Sequence, residues 1–113
     1  MGDRKLAGIV LRGFLQDVPS QLENLRQRLK HADSPGTRAQ AHMLKGAAAT
    51  VAAEDLRAMA LSMEQAGRAG ELDRCRQLLP RVAEEFERFK RALDWAGWAQ
   101  TKDNEILQGT DQR

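Results

Sequence analysis

The sequence contains no tyrosine, one cysteine and three prolines, and its aromatic residues are three phenylalanines and two tryptophans. Each scarcity removes a class of explanation. A lone Cys75 cannot close an internal disulfide, so a reducing cytoplasm is the simplest setting. No apolar run approaches the ~20 residues of a membrane span, and no signal peptide is visible, so no membrane partner is expected. Two histidines without His-Glu-x-x-His spacing, beside a single thiol, make no zinc site, and no metal ligand set is expected. There is no glycine-rich phosphate loop and no Ser-His-Asp order, so the chain lacks the means to phosphorylate itself from a nucleotide. Cations outnumber anions by only 18 to 16. That excess is too small to argue for nucleic acid, and a bundle binding it through Arg12, Arg26, Arg28 and Lys30 is opposed by the acids between them.

What the chain does have is helix. Its 113 residues fit one domain, and alanine, leucine, glutamate and arginine dominate. Leu6, Ile9, Val10, Leu11, Phe14 and Leu15 recur at helical spacing up to Asp17. Val18-Pro19-Ser20 predicts an interruption, because proline disfavours helix at the residue before it. Leu22, Leu25 and Leu29 continue beyond, giving a short first helix and a longer second one, or one bent rod. Ser34-Pro35 reads as the N-cap and first turn of a helix running to about Val51. The next helix, from about Ala53 to Gly67 or Gly70, buries Leu56, Met59, Ala60 and Met63 and carries Glu64 at the edge of that stripe. Gly67-Arg68-Ala69-Gly70 reads as a turn. A last helix, from Glu71 to Gly97, has the stripe Leu72, Cys75, Leu78, Leu79, Val82, Phe86, Phe89 and Leu93, with a local bend at Pro80. Trp95 and Trp98 are expected to close one end of the bundle. The expected fold is all-α: an antiparallel four-helix bundle with an additional short N-terminal helix, spanning residues 1–98. Residues 99–113 form a polar tail, either disordered or docked through Ile106 and Leu107.

The most informative stretch is Ala39 to Ala49. With His42 at zero on a wheel of ~100° per residue, Ala41, Leu44, Ala48 and Val51 fall on the far side, at roughly 180–260°. His42 therefore points to water. Arg38, Lys45, Gly46 and Ala49 share its outer face: two cations and two residues almost without side chain. An exposed neutral imidazole is a nucleophile at Nε2 when a partner holds Nδ1. A phosphoryl group on it would carry about two negative charges near Lys45 and Arg38. Gly46 is a poor helix former and marks a place where something approaches closely. His31, followed by Ser34 and Pro35, lacks these neighbours and reads as a helix-terminal histidine.

Ala41-His42-x-Leu44-Lys45-Gly46-x-Ala48 resembles the signature of histidine-containing phosphotransfer (HPt) domains. Leu56 and the Met63-Glu64 pair extend the similarity, which covers roughly Phe14 to Leu93. One departure is Ala52, where that family often has a glycine. The resemblance implies a phosphocarrier rather than an enzyme, with His42 phosphorylated and Lys45, and less directly Arg38, near the phosphate. Glu64, 22 positions after His42, then accepts a hydrogen bond from its ring. The other reading of Glu64 is a surface carboxylate paired with Arg68. Ala39, Met43, Gly46 and Ala49 are the expected docking surface. The implied partners are response-regulator receiver domains and a hybrid sensor histidine kinase. No cofactor is expected on this chain, the Mg²⁺ belonging to the receiver. The other reading is a helical adaptor that binds these partners without carrying phosphate.

Overall fold

The computed structural model describes residues 2–95, so the polar tail and Trp98 lie outside the described residues. Four helices follow one another: α1 (Gly2–Lys30), α2 (Ser34–Thr50), α3 (Glu54–Arg68) and α4 (Leu72–Trp95). Each packs on its neighbours in sequence, and α1 closes the ring against α4. Short connections between long helices force antiparallel neighbours, which gives an up-down-up-down bundle.

The additional N-terminal helix is not separate. Residues 2–30 form one helix that continues unbroken through Pro19. Proline removes one N–H and disturbs the carbonyl four residues back, at an exposed place. Phe14 and Val18 before it, and Leu25 and Leu29 after it, are all buried in the same core. That packing, on both sides of the defect, holds the rod together. Pro80 likewise sits exposed inside α4.

The three connections share one construction. After α1, Asp33 N–H reaches back to Arg28 C=O at 2.8 Å and Ala32 N–H to Leu29 C=O at 3.1 Å. After α2, Ala53 bonds Ala48 and Ala52 bonds Ala49; after α3, Glu71 bonds Ala66 and Gly70 bonds Gly67. This pattern needs one left-handed residue at each helix end. Ala32, Ala52 and Gly70 supply it, with φ of 52°, 57° and 76°. Ala52 thus takes the backbone shape that a glycine would take, and the turn survives the departure noted in the sequence.

Two boundaries differ from the reading of the sequence. Ser34 is not the N-cap of α2. Asp33 is, with its Oδ1 accepting from Gly36 N–H at 2.9 Å. Both residue types cap well, so only the backbone decides between them. Ser34 Oγ instead donates to Gly67 C=O across the bundle at 2.6 Å. Gly67 is not in a turn but buried within α3. A Cβ there would stand 3.1 Å from the backbone nitrogen of Arg38, so the missing side chain lets α2 and α3 approach closely.

The core joins Phe14, Leu25, Leu44, Leu56, Met63, Val82 and Phe86. Phe14 meets the rings of Phe86 and Phe89 edge-on, with centroids 6.0 and 5.6 Å away. Arg76 Nη2 donates to Leu29 C=O at 2.9 Å, capping the end of α1 from α4. Trp95 does not close the bundle. It is 91% exposed, because the stripe of α4 leaves it on the outside of the final turn. Among the described residues no helix is long and apolar enough to cross a membrane.

Candidate functional site

His42 lies about two turns into α2. Ala41, Leu44 and Ala48 of the same helix are fully buried, which fixes the rotation of α2 and turns His42 outward. Its side chain is 63% exposed. Glu64 stands beside it on α3. The close passage of α2 over Gly67, tied by the Ser34 hydroxyl, sets the spacing of the two helices one turn from Glu64.

Glu64 is buried, 5% exposed, and both of its oxygens are engaged. His42 Nδ1 lies 2.9 Å from Oε2, and Lys45 Nζ lies 2.7 Å from Oε1. The reading of Glu64 as a surface carboxylate paired with Arg68 is therefore replaced by an inward one. Its carboxyl is held below the ordinary value of 4.5, chiefly by the Lys45 ammonium beside it. Burial pushes the other way, and the His42 contact adds to the lowering. An ionised carboxylate accepts only, so the proton of this hydrogen bond sits on His42 Nδ1. The lone pair of the neutral ring is then on Nε2.

Lys45 is the residue whose position the sequence did not foresee. Its side chain is 27% exposed and turns towards Glu64 rather than standing free beside the imidazole. The i, i+3 spacing from His42 put it on the same flank; only the buried carboxylate opposite explains its direction. Arg38, one turn before His42, is exposed.

The surface around the ring is low. Ala39, Gly46 and Ala49 are exposed, and a Cβ built on Gly46 meets nothing within 4 Å. Met43 is 60% exposed and is the one large apolar side chain beside them. Of the two methionines expected in the buried stripe of α3, Met63 is buried and Met59 only partly so. Cys75 is buried on α4, its Sγ donating to Met63 C=O at 3.7 Å. Burial pushes its thiol up, away from reactivity. Among the described residues no three His, Cys, Asp or Glu side chains gather where they could hold a metal ion.

Chemically, this arrangement offers an outward imidazole nitrogen of fixed tautomer, on a rigid helix, with open space next to it. Comparison with known proteins agrees with that chemistry. The model of the Hpt domain family matches residues 10–92. No curated protein and no solved structure gives a significant match. Since the family match spans most of the chain, from the first half of α1 into the last turn of α4, the chain belongs to the Hpt domain family, the histidine phosphotransfer modules of two-component phosphorelays, which are phosphocarriers rather than catalysts and interact with receiver domains and kinases.

Proposed function

We propose that His42 is the phosphorylated residue, accepting a phosphoryl group from the phosphoaspartate of one receiver domain and passing it to another. The observation that carries this reading is the His42–Glu64 pair. A buried anion holds Nδ1–H at 2.9 Å, while the rest of a largely exposed ring faces solvent. His42 Nε2 attacks phosphorus in line; the new N–P bond forms as the P–O bond to the aspartyl carboxylate breaks. The carboxylate leaves with its electron pair, and the Nδ1 proton stays where Glu64 holds it. The ring gains positive character as the bond forms, and the adjacent carboxylate stabilises that charge. Onward transfer is the same step reversed on a second receiver.

Phosphoryl transfer depends largely on positioning and charge neutralisation. The receiver supplies the Mg²⁺. This chain supplies a fixed nucleophile, the exposed Arg38 guanidinium, the Lys45 ammonium held against Glu64 on the inner flank of the ring, and a docking face. Ala39, Met43, Gly46 and Ala49 make that face, small enough for a receiver to lower its own aspartate onto the ring. Such a face suits a short-lived complex. Receiver domains and a hybrid sensor kinase are its partners, and the setting is the cytoplasm.

Incubation with a phosphorylated receiver tests the reading. The wild-type chain gains acid-labile phosphate and His42→Ala gains none, with its helix content unchanged. Retained uptake in that variant removes the proposal. Binding without uptake by the wild type makes the chain an adaptor instead.

A further inference from the structure

α1 and α4, of 29 and 24 residues, outrun α2 and α3, of 17 and 15. Past the end of α2, the long helices keep an apolar surface that no third helix covers. Leu6, Ile9 and Val10 are 60%, 56% and 39% exposed there. An open groove of about 520 Å³ runs between Leu6, Val10 and Leu11 of α1, Val51 after α2, and Phe89 and Leu93 of α4. It is not the His42 face, since Val51 stands about 180° from His42 around α2.

The framing segments are basic. Residues 5–13 and 87–95 carry Lys5, Arg12, Arg88, Lys90 and Arg91 against Glu87 and Asp94, with Arg88 3.7 Å from Glu85 and Lys90 3.6 Å from Glu87 on their own helix. A second copy of this surface would set like charges against each other, which disfavours self-association here. The better occupant is acidic and apolar together. The segment that follows α4 leans that way: Asp103 and Glu105 outnumber Lys102 just before Ile106 and Leu107. It is also tethered at the rim, because Leu93 lines the groove and α4 ends at Trp95. From Trp95 to Ile106 is 11 residues, a reach of up to ~36 Å. The bundle is only 23 Å across its wider short axis. A tether of that length holds the segment at an effective concentration of about millimolar.

We propose that Ile106 and Leu107 seat in the groove between α1 and α4, with Asp103 and Glu105 towards its basic rim. The segment then covers the overhanging ends of both helices and leaves the His42 face open.

Hydrogen exchange of the full chain tests this without any phosphoryl transfer, so its outcome is separate from that of the relay reading. The backbone amides of residues 6–11 are followed in the wild type and in the double variant I106D/L107D. The expected result is exchange about tenfold faster in the variant, independent of protein concentration, with the amides of α2 and α3 unchanged. Equal rates in the two proteins overturn the proposal. Protection that grows with protein concentration overturns it too, and assigns the groove to a second copy.

Discussion

The Lys45 ammonium and the His42 ring share one buried carboxylate, Glu64, with Lys45 Nζ 2.7 Å from one oxygen and His42 Nδ1 2.9 Å from the other. The imidazole and the cation beside it are therefore coupled through a group that neither can leave without cost. Removing Lys45 strips a partner from an anion with 7% side-chain exposure. Lys45→Met is expected to lose about 1–2 kcal/mol in chemical denaturation, less than a fully buried pair because the ammonium is partly solvated. Adding Glu64→Gln to Lys45→Met removes the unpaired charge and should cost less than the sum of the two single changes. Simple additivity in that double-mutant cycle would mean the pair is not coupled.

The same carboxylate predicts an acid limb. Glu64 titrates below 4.5 in the folded chain and, exposed, near 4.5 when unfolded. As pH falls, the unfolded state takes up the proton first. The stability contributed by Glu64 is thus fully present above 4.5 and is lost as pH drops through its lower folded value. Urea midpoints measured at intervals from neutral pH to about pH 3 should fall along this limb, and Glu64→Gln should flatten it. A limb of the same depth in the variant assigns it to other carboxylates. Glu64→Ala should also slow phosphoryl transfer more than Glu64→Gln, which still accepts a hydrogen bond from the ring.

Two glycines on neighbouring helices should respond in opposite ways. Gly46 has open space on its outer side, so Gly46→Ala is expected to stabilise α2 by about 1 kcal/mol through helix propensity alone. A Cβ on Gly67 would stand 3.1 Å from the Arg38 backbone nitrogen. Gly67→Leu forces α2 and α3 apart and should cost about 2–3 kcal/mol. Phosphotransfer rates separate them further: Gly46→Leu, bulky but solvent-facing, should keep the fold and slow transfer from a receiver. An unchanged rate in that variant shows that the receiver does not come down over Gly46.

Ala52 holds φ at 57° at the end of α2. A side chain in the left-handed region costs roughly 1–2 kcal/mol. Glycine avoids that cost but has more freedom to lose in the unfolded chain. Ala52→Gly should therefore raise stability by up to about 1 kcal/mol, and a lower midpoint in denaturant would show that the turn is unstrained.

Much of this molecule is written in local pattern. The rotation of α2 follows from Ala41, Leu44 and Ala48, whose burial leaves His42 only the outside. The stripes of α3 and α4 likewise appear in the core where their spacing put them, because 3.6-residue periodicity is a property of the chain alone. The His42, Lys45 and Gly46 grouping needs nothing beyond one helix.

What local pattern could not settle involves two elements at once. Pro19 breaks a helix in isolation, yet α1 continues because Val18 and Leu25 are anchored in the same core on either side. Asp33 and Ser34 are equally good caps, and the pull of Gly67 C=O on the Ser34 hydroxyl is invisible until α3 is in place. Glu64 reads as a residue at the edge of the apolar stripe until α2 closes over it. Its burial, and with it the direction of Lys45 and the tautomer of His42, depends on helix spacing, which Gly67 sets by having no side chain. Sequence determines which side of each helix is apolar; only packing decides which polar groups are left facing one another inside.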